Sequence, residues 1–198
     1  MTVVYWTRLS LAEIRAGTET IRSLLTPEEC AKANRFVREE DRLLSLGGAY
    51  LIRRLIGTDA TLRCSSFGKP YAEGVWFNLS HSVDMTALAW CRTHEVGFDI
   101  EKKREGFDEL IPYCLAKSER ASQESFLSLF CAKESLGKAE GEGLTNKPDS
   151  VPALPISGRV LYRGAVYYRH PVWDDSYVIS VCCKGSDFTL KEEPIYAF

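Results

Sequence analysis

Two charged residues stand where a helix would be expected to bury apolar ones. In Ser128-Leu129-Phe130-Cys131-Ala132-Lys133-Glu134-Ser135-Leu136-Gly137-Lys138-Ala139, Leu127, Phe130 and Cys131 fall on one side of a predicted helix, and Glu134 lies within that stripe. Lys138 follows one turn later on the same side, and Lys133 projects near Phe126 and Phe130. A carboxylate inside an apolar stripe costs several kcal/mol unless something pairs with it. Gly137 weakens the helix and marks a close approach by another group. One reading is an internal Lys/Glu ion pair at a packing seam. The other is a metal-ligating Glu134 with an anion-binding Lys138 beside it. A second feature bears on the choice. Residues 95–101 alternate, so that Val96, Phe98 and Ile100 face one way while Asp99 and Glu101 share the other face, about 6–7 Å apart along the strand. An amphipathic edge strand would look the same. Two carboxylates on one face also suit a hard cation such as Mg²⁺, which takes few protein ligands and completes its shell with water and phosphate oxygens.

The elements that must position these groups are legible in outline. Residues 3–6 read as a strand and 9–16 as a weak helix. Thr26, Pro27 and Glu29 form an N-cap, a first helical position and a capping box. Helical pattern continues to Leu55 and Ile56 with Gly57 as the stop. Such a length calls for a break, expected near residues 38–41. Lys32, Arg35, Arg38 and Arg42 recur at threes and fours as a basic edge, either solvated or matched to a polyanion. Phe67-Gly68-Lys69-Pro70 is turn chemistry that presents Lys69 on a loop. Residues 75–80, 85–91 and 95–101 read as strands with short connections, an antiparallel meander. After Lys102-Lys103-Arg104 the composition turns loop-like, a candidate boundary. A helix is expected over 107–115, the charged helix over 123–139, a polar loop from Asn146 to Pro155, and strands over 159–163, 165–170 and 177–183. The segment from Phe188 has no clear pattern. The fold class expected is α+β: two similar halves, 1–101 and 102–198, each with helices packed on a small three-stranded antiparallel sheet.

Composition narrows the function. The 198 residues are 45% hydrophobic and 26% charged with a net charge of −2, which supports a real core and argues against a protein built to grip nucleic acid. No basic region followed by an apolar stretch opens the chain, and no run approaches the length of a membrane span. Seven cysteines without Cys-x-x-Cys, and three histidines, make a zinc site an unfavoured reading and suggest reduced thiols in a cytosol. There is no Gly-x-x-x-x-Gly-Lys-Ser/Thr loop and no Gly-x-Gly-x-x-Gly, so neither a P-loop nor a Rossmann site is supported. Ser80 beside His81 lacks a nucleophile elbow. Asp99, Glu101 and Glu134 with Lys138, Lys69 and His81 form an inventory for a pyrophosphate: a metal bridges the oxygens, and lysines and histidine neutralise the rest.

In this setting Phe67-Gly68-Lys69-Pro70, Phe77-Asn78-Leu79-Ser80-His81-Ser82, Val96-Gly97-Phe98-Asp99-Ile100-Glu101 and Phe130-Cys131-Ala132-Lys133-Glu134-Ser135-Leu136-Gly137-Lys138 resemble the signatures of 4′-phosphopantetheinyl transferases. The two-half layout resembles the pseudodimeric type that activates peptide and polyketide synthetases, with the active site at the interface of the halves. The resemblance implies transfer of the phosphopantetheine arm of coenzyme A to a serine of an acyl or peptidyl carrier protein, releasing adenosine 3′,5′-bisphosphate. It implies Asp99, Glu101 and Glu134 as ligands of Mg²⁺, with Mn²⁺ as the alternative ion, and Lys138 on the same phosphates. His81 would contact the pyrophosphate, while Lys32, Ser45, Lys69 and Ser80 would hold the adenosine and its 3′-phosphate. Glu119, in Ala116-Lys117-Ser118-Glu119, resembles the family's glutamate near the attacking serine, making it the candidate base, with a metal-bound water held by Glu101 as its rival. A monomer in the cytoplasm is expected, with coenzyme A and the carrier as partners and neither nucleic acid nor membrane. A non-catalytic coenzyme A or nucleotide-binding module is the alternative.

Overall fold

Apolar strands here are covered on both faces, and that dictates the layering. The computed structural model describes residues 1–144 and 147–194. β1 (Thr2–Ser10) runs into α1 (Leu11–Ala16), which is closed by a capping box between Ser10 and Glu13. α2 (Thr18–Leu24), α3 (Pro27–Ala33) and α4 (Glu39–Ile56) follow. The capping box at Thr26 forms as expected: Thr26 N donates to Glu29 Oε2 at 2.9 Å, and Glu29 N to Thr26 Oγ1 at 3.2 Å. The helical break falls over residues 34–38, slightly earlier than expected, and Gly57 ends α4 with φ 91°. β2 (Arg63–Cys64) and β3 (Pro70–Tyr71) make a small ribbon. β4 (Trp76–Ser82), β5 (Met85–Cys91) and β6 (Val96–Lys102) occupy the expected strand positions. The helix expected over 107–115 is confined to α5 (Ile111–Cys114), and a second short helix, α6 (Lys117–Arg120), follows it. α7 (Phe126–Glu140) is the charged helix, capped by Ser125 and stopped by Gly141 at φ 101°. A 3₁₀ turn covers Pro148–Ser150, and Asn146, the expected start of that loop, lies outside the described residues. β7 (Gly158–Tyr162), β8 (Ala165–Trp173), β9 (Tyr177–Lys184) and β10 (Phe188–Glu192) complete the chain.

Two four-stranded sheets result, in the orders β10-β1-β5-β4 and β6-β9-β8-β7. This corrects the expectation of three-stranded antiparallel sheets. The segment without pattern forms β10, which pairs parallel to β1. The expected meander stops after β5, and β6 pairs with β9 in the other sheet, Asp99 opposite Ser180 and Glu101 opposite Val178. The chain changes sheet across residues 92–95, before the expected boundary at 101/102. The reason lies in burial. Val96, Phe98 and Ile100 join Val4, Trp6, Ala87, Ala89, Ile179 and Val181 in a core between the stacked sheets. The outer face of the first sheet packs Leu88, Trp90 and Phe77 against Ile14, Ile21, Leu46 and Leu51 of the N-terminal helices. The outer face of the second packs Tyr167 and Cys182 against Leu136 and Ala139 of α7. The layers are therefore helices, sheet, sheet, helix. The α+β class holds, and the face of β6 that reads as solvated lies under α7.

β4 and β6 are each one of the two edge strands of their sheets, and they lie side by side. Their backbones do not pair. Asn78, Ser80 and Ser82 alternate along β4, so they share a face, and they supply the partners that the edge of β6 lacks. Phe98 N donates to Asn78 Oδ1 at 2.9 Å, and Lys102 N to Ser82 Oγ at 3.1 Å. An edge strand whose free N–H groups are met by side chains is blunted against pairing with other chains.

Candidate functional site

Asp99 and Glu101 leave the same face of β6, and α7 lies across that face. The approach is close because position 97 is glycine. A Cβ there would collide with the carbonyl oxygen of Ser135 and the amide of Ala139. Gly137 is likewise required, since its Cβ would stand 2.6 Å from the Gly143 carbonyl oxygen. These two glycines let α7 settle with Glu134 and Lys138 facing the strand carboxylates.

Together with Leu79, Ser80, His81 and Phe130, these four charged residues line a cavity of about 350 Å³. Lys138 Nζ donates to Asp99 Oδ1 at 2.6 Å and to Ser80 Oγ at 3.1 Å, and lies 3.9 Å from Glu134 Oε2. Ser80 Oγ donates to Asp99 Oδ1 at 2.9 Å, and Ser82 Oγ donates to Glu101 Oε2 at 2.7 Å. Asp99 Oδ2 is buried and has no hydrogen-bond partner. Three carboxylates face one ammonium, and the titration of the group reflects that imbalance. Glu134 is raised above its ordinary value by burial and by the Asp99 and Glu101 charges, with Lys138 opposing. Glu101 is raised by burial and by Asp99, with the Ser82 hydrogen bond opposing. Burial works against the Lys138 ammonium, but Asp99 and Glu134 outweigh it and raise its pKa. Such a pocket has an excess of negative charge that a cation would relieve.

Among the described residues no three His, Cys, Asp or Glu side chains converge as a ready-made metal site. Lys138 supplies the positive charge within the pocket. The donor set still fits a hard cation. It offers carboxylate oxygens, the orphaned Asp99 Oδ2 among them, and room for water and phosphate oxygens.

Four predicted residues lie elsewhere. Lys32 is exposed on α3 and Ser45 half-buried on α4; neither lines this cavity. Lys69 Nζ donates to the carbonyls of Val96 at 2.9 Å and Ala139 at 3.4 Å, tying its loop to β6 and to the end of α7. Burial lowers its pKa to about 8, with Glu95 opposing. Glu119 is the most buried of the four. It is 5% exposed. Its Oε1 accepts from Ala153 N at 2.7 Å, and its Oε2 accepts from Ala116 N at 2.8 Å and pairs with Lys133 Nζ at 2.7 Å. Lys133 itself has no exposed surface and also donates to the carbonyls of Pro148 and Val151. Both carboxylate oxygens are thus engaged within the protein.

Sequence reasoning left Asn78 and Ser82 without roles, although their alternation with Ser80 on a strand was a usable signal. It also passed over Arg169, fully buried and donating to the carbonyls of Pro152, Ala153 and Pro155, where no local pattern marks it. A larger cleft of about 400 Å³ opens beside the start of α7, between Phe107, Phe126, Leu127, Val172 and Trp173. Its walls are mainly apolar, so it offers shape without the paired charges.

A family model described as the 4′-phosphopantetheinyl transferase superfamily matches residues 95–182, the stretch from the start of β6 into β9. The 4′-phosphopantetheinyl transferase Sfp of Bacillus subtilis is 29% identical over 195 residues, covering 86% of this chain and 87% of its own length. The 4′-phosphopantetheinyl transferase HetI of a Nostoc species is 28% identical over 213 residues, covering 92% and 88%. The 4′-phosphopantetheinyl transferase gsp of Aneurinibacillus migulanus is 32% identical over 128 residues, covering 56% and 53%.

Proposed function

We propose, from the match of residues 95–182 to the 4′-phosphopantetheinyl transferase superfamily and the likeness to Sfp and HetI, that the chain is a member of this superfamily and moves the 4′-phosphopantetheine arm of coenzyme A onto a serine of an acyl or peptidyl carrier protein. The carrier is of the kind found in peptide and polyketide synthetases. The observation that carries the reading is the meeting of Asp99, Glu101, Glu134, Lys138 and His81 in one cavity at the junction of the two sheets. We read the sheets as cores of two related halves, with the site between them.

The serine oxygen attacks the phosphorus that bears the pantetheine arm. A new P–O bond forms to serine, the bond to the bridging oxygen of the pyrophosphate breaks, and adenosine 3′,5′-bisphosphate leaves with that electron pair. Lys138 sits beside the developing charge and stabilises it. His81, exposed at the rim, contacts the pyrophosphate, and Ser80 holds Asp99 and Lys138 in place. A serine hydroxyl is a poor nucleophile at neutral pH and needs a base. Glu119 is one candidate for that base, and a water held by Glu101 is the other. Asp99, Glu101 and Glu134 would hold Mg²⁺, or Mn²⁺ in its place, which would supply positive charge to neutralise the pyrophosphate. Lys32 and Ser45 are assigned to the adenosine 3′-phosphate. Lys69 contributes by fixing the loop it anchors. No helix among the described residues is long and apolar enough to cross a membrane, and the seven cysteines are free thiols. We read the protein as a cytoplasmic monomer.

The test is direct. Incubation with coenzyme A, Mg²⁺ and an apo carrier protein should increase the carrier mass by one phosphopantetheine. No gain on any of a panel of carriers, with coenzyme A still bound, would leave an idle coenzyme A-binding module.

A further inference from the structure

Behind one of the carboxylates that line the cavity stands a hydroxyl whose proton is committed to that carboxylate. Ser82 is 6% exposed. Its oxygen accepts the Lys102 backbone N–H at 3.1 Å, and its own proton goes to Glu101 Oε2 at 2.7 Å. Glu101 and Lys102 are consecutive on β6, so the three groups close a small ring: backbone N–H to hydroxyl, hydroxyl to carboxylate. The amide belongs to a strand held in a sheet. It therefore fixes the hydroxyl, and the hydroxyl fixes one oxygen of a side chain that would otherwise sample many rotamers. Ser80 makes the equivalent contact one step along, donating to Asp99 Oδ1, with Lys138 on the other side of its oxygen. In both rungs a β4 serine takes one oxygen of a β6 carboxylate. For Asp99 the remaining oxygen is buried and unpartnered.

We propose that Ser82 is a positioning residue for Glu101: it commits Oε2, so that the other carboxylate oxygen is presented to the cation and the pyrophosphate. The inference rests on the cation-binding reading of the pocket. It differs from a packing role because a hydroxyl that only filled space would be replaced by any group of like size. Partners that orient metal ligands typically tune affinity by about 10–100-fold.

Free Mn²⁺, counted by electron paramagnetic resonance during titration of the protein with and without coenzyme A, tests this without turnover. Wild-type binding that weakens roughly tenfold in Ser82→Ala and Ser82→Cys, with Ser82→Thr within about threefold of wild type, is the expected result. Ser82→Cys keeps the size and supplies only a weak donor, so it decides alone if Ser82→Ala does not fold. Unchanged affinity in Ser82→Cys, beside a wild type that binds Mn²⁺, would overturn the role of Ser82 and leave the cation site standing. A wild type that binds no Mn²⁺ under either condition would remove the cation site, and this inference with it.

Discussion

α7 carries two lysines five positions apart, and their environments are opposite. Lys133 is sealed. It meets Glu119 at 2.7 Å and the carbonyls of Pro148 and Val151, and Glu119 has both oxygens engaged by backbone amides as well. Lys138 is 23% exposed in its side chain and shares its charge among Asp99, Glu134 and Ser80, with Asp99 Oδ2 unpartnered. The first group is a closed account of donors and acceptors. The second has more negative charge than the ammonium beside it can answer. An ion pair on a buried helix is thus not evidence for chemistry; unspent capacity in an accessible cavity is.

The contrast can be broken from either side. Glu119→Ala should have the largest effect, because it strands a buried ammonium and two backbone N–H groups. A stability loss of about 3–5 kcal/mol is expected, read as a lower midpoint in urea. A change below about 1 kcal/mol would show that the sealed pair is no more than a surface pair in energy. Lys138→Ala should lower turnover about 10²–10³-fold, the scale set by one electrostatic donor at a developing charge. Its stability loss should be smaller than that of Glu119→Ala, since water reaches the cavity. Turnover within a factor of a few of wild type, measured by carrier mass gain, would make Lys138 as structural as Lys133.

The smallest effect concerns pH. Glu134 has its pKa raised in the folded state by burial and by its acidic neighbours. An acid raised on folding binds more protons in the native than in the unfolded chain, so its ionisation lowers stability as pH rises from its ordinary value through the raised one. Glu134→Gln removes that penalty. Its melting temperature should exceed wild type by roughly 2 °C at neutral pH, a fraction of a kcal/mol in a chain of this size. The gain should fade below the ordinary glutamate range, and transfer should be abolished throughout. A variant less stable than wild type at neutral pH would mean that the Glu134–Lys138 contact outweighs the repulsion.

Much of the site was readable in one dimension because its signals are local. Glu134 and Lys138 are one helical turn apart, Asp99 and Glu101 one strand repeat apart, and Gly137 does mark a close approach. The Thr26 cap and the Gly57 stop are local in the same sense. What failed was long-range choice. β6 has the alternation of an exposed edge strand, and nothing within residues 96–102 says that α7 will cover its polar face or that β9 will be its partner. Glu119 divides in the same way. A glutamate at the third helical position serves the helix backbone, as its bond to Ala116 N shows, and that local duty is legible in the sequence. Its second partner, Lys133, could be identified only in three dimensions.

The pairing of β6 with β9 also sets an order in time. Asp99 and Glu101 are synthesised before the midpoint of α7, but their strand gains its sheet neighbour only when residues 177–184 have been made. Synthesis at about 5–20 residues per second leaves several seconds in which the acidic strand exists without a sheet. Closing that long a segment is also the slow kind of contact. A nascent chain stopped before β9 would carry the β4 serines and the strand carboxylates with nothing to hold them in register. The acidic pocket is therefore expected to be among the last parts of the molecule to become competent.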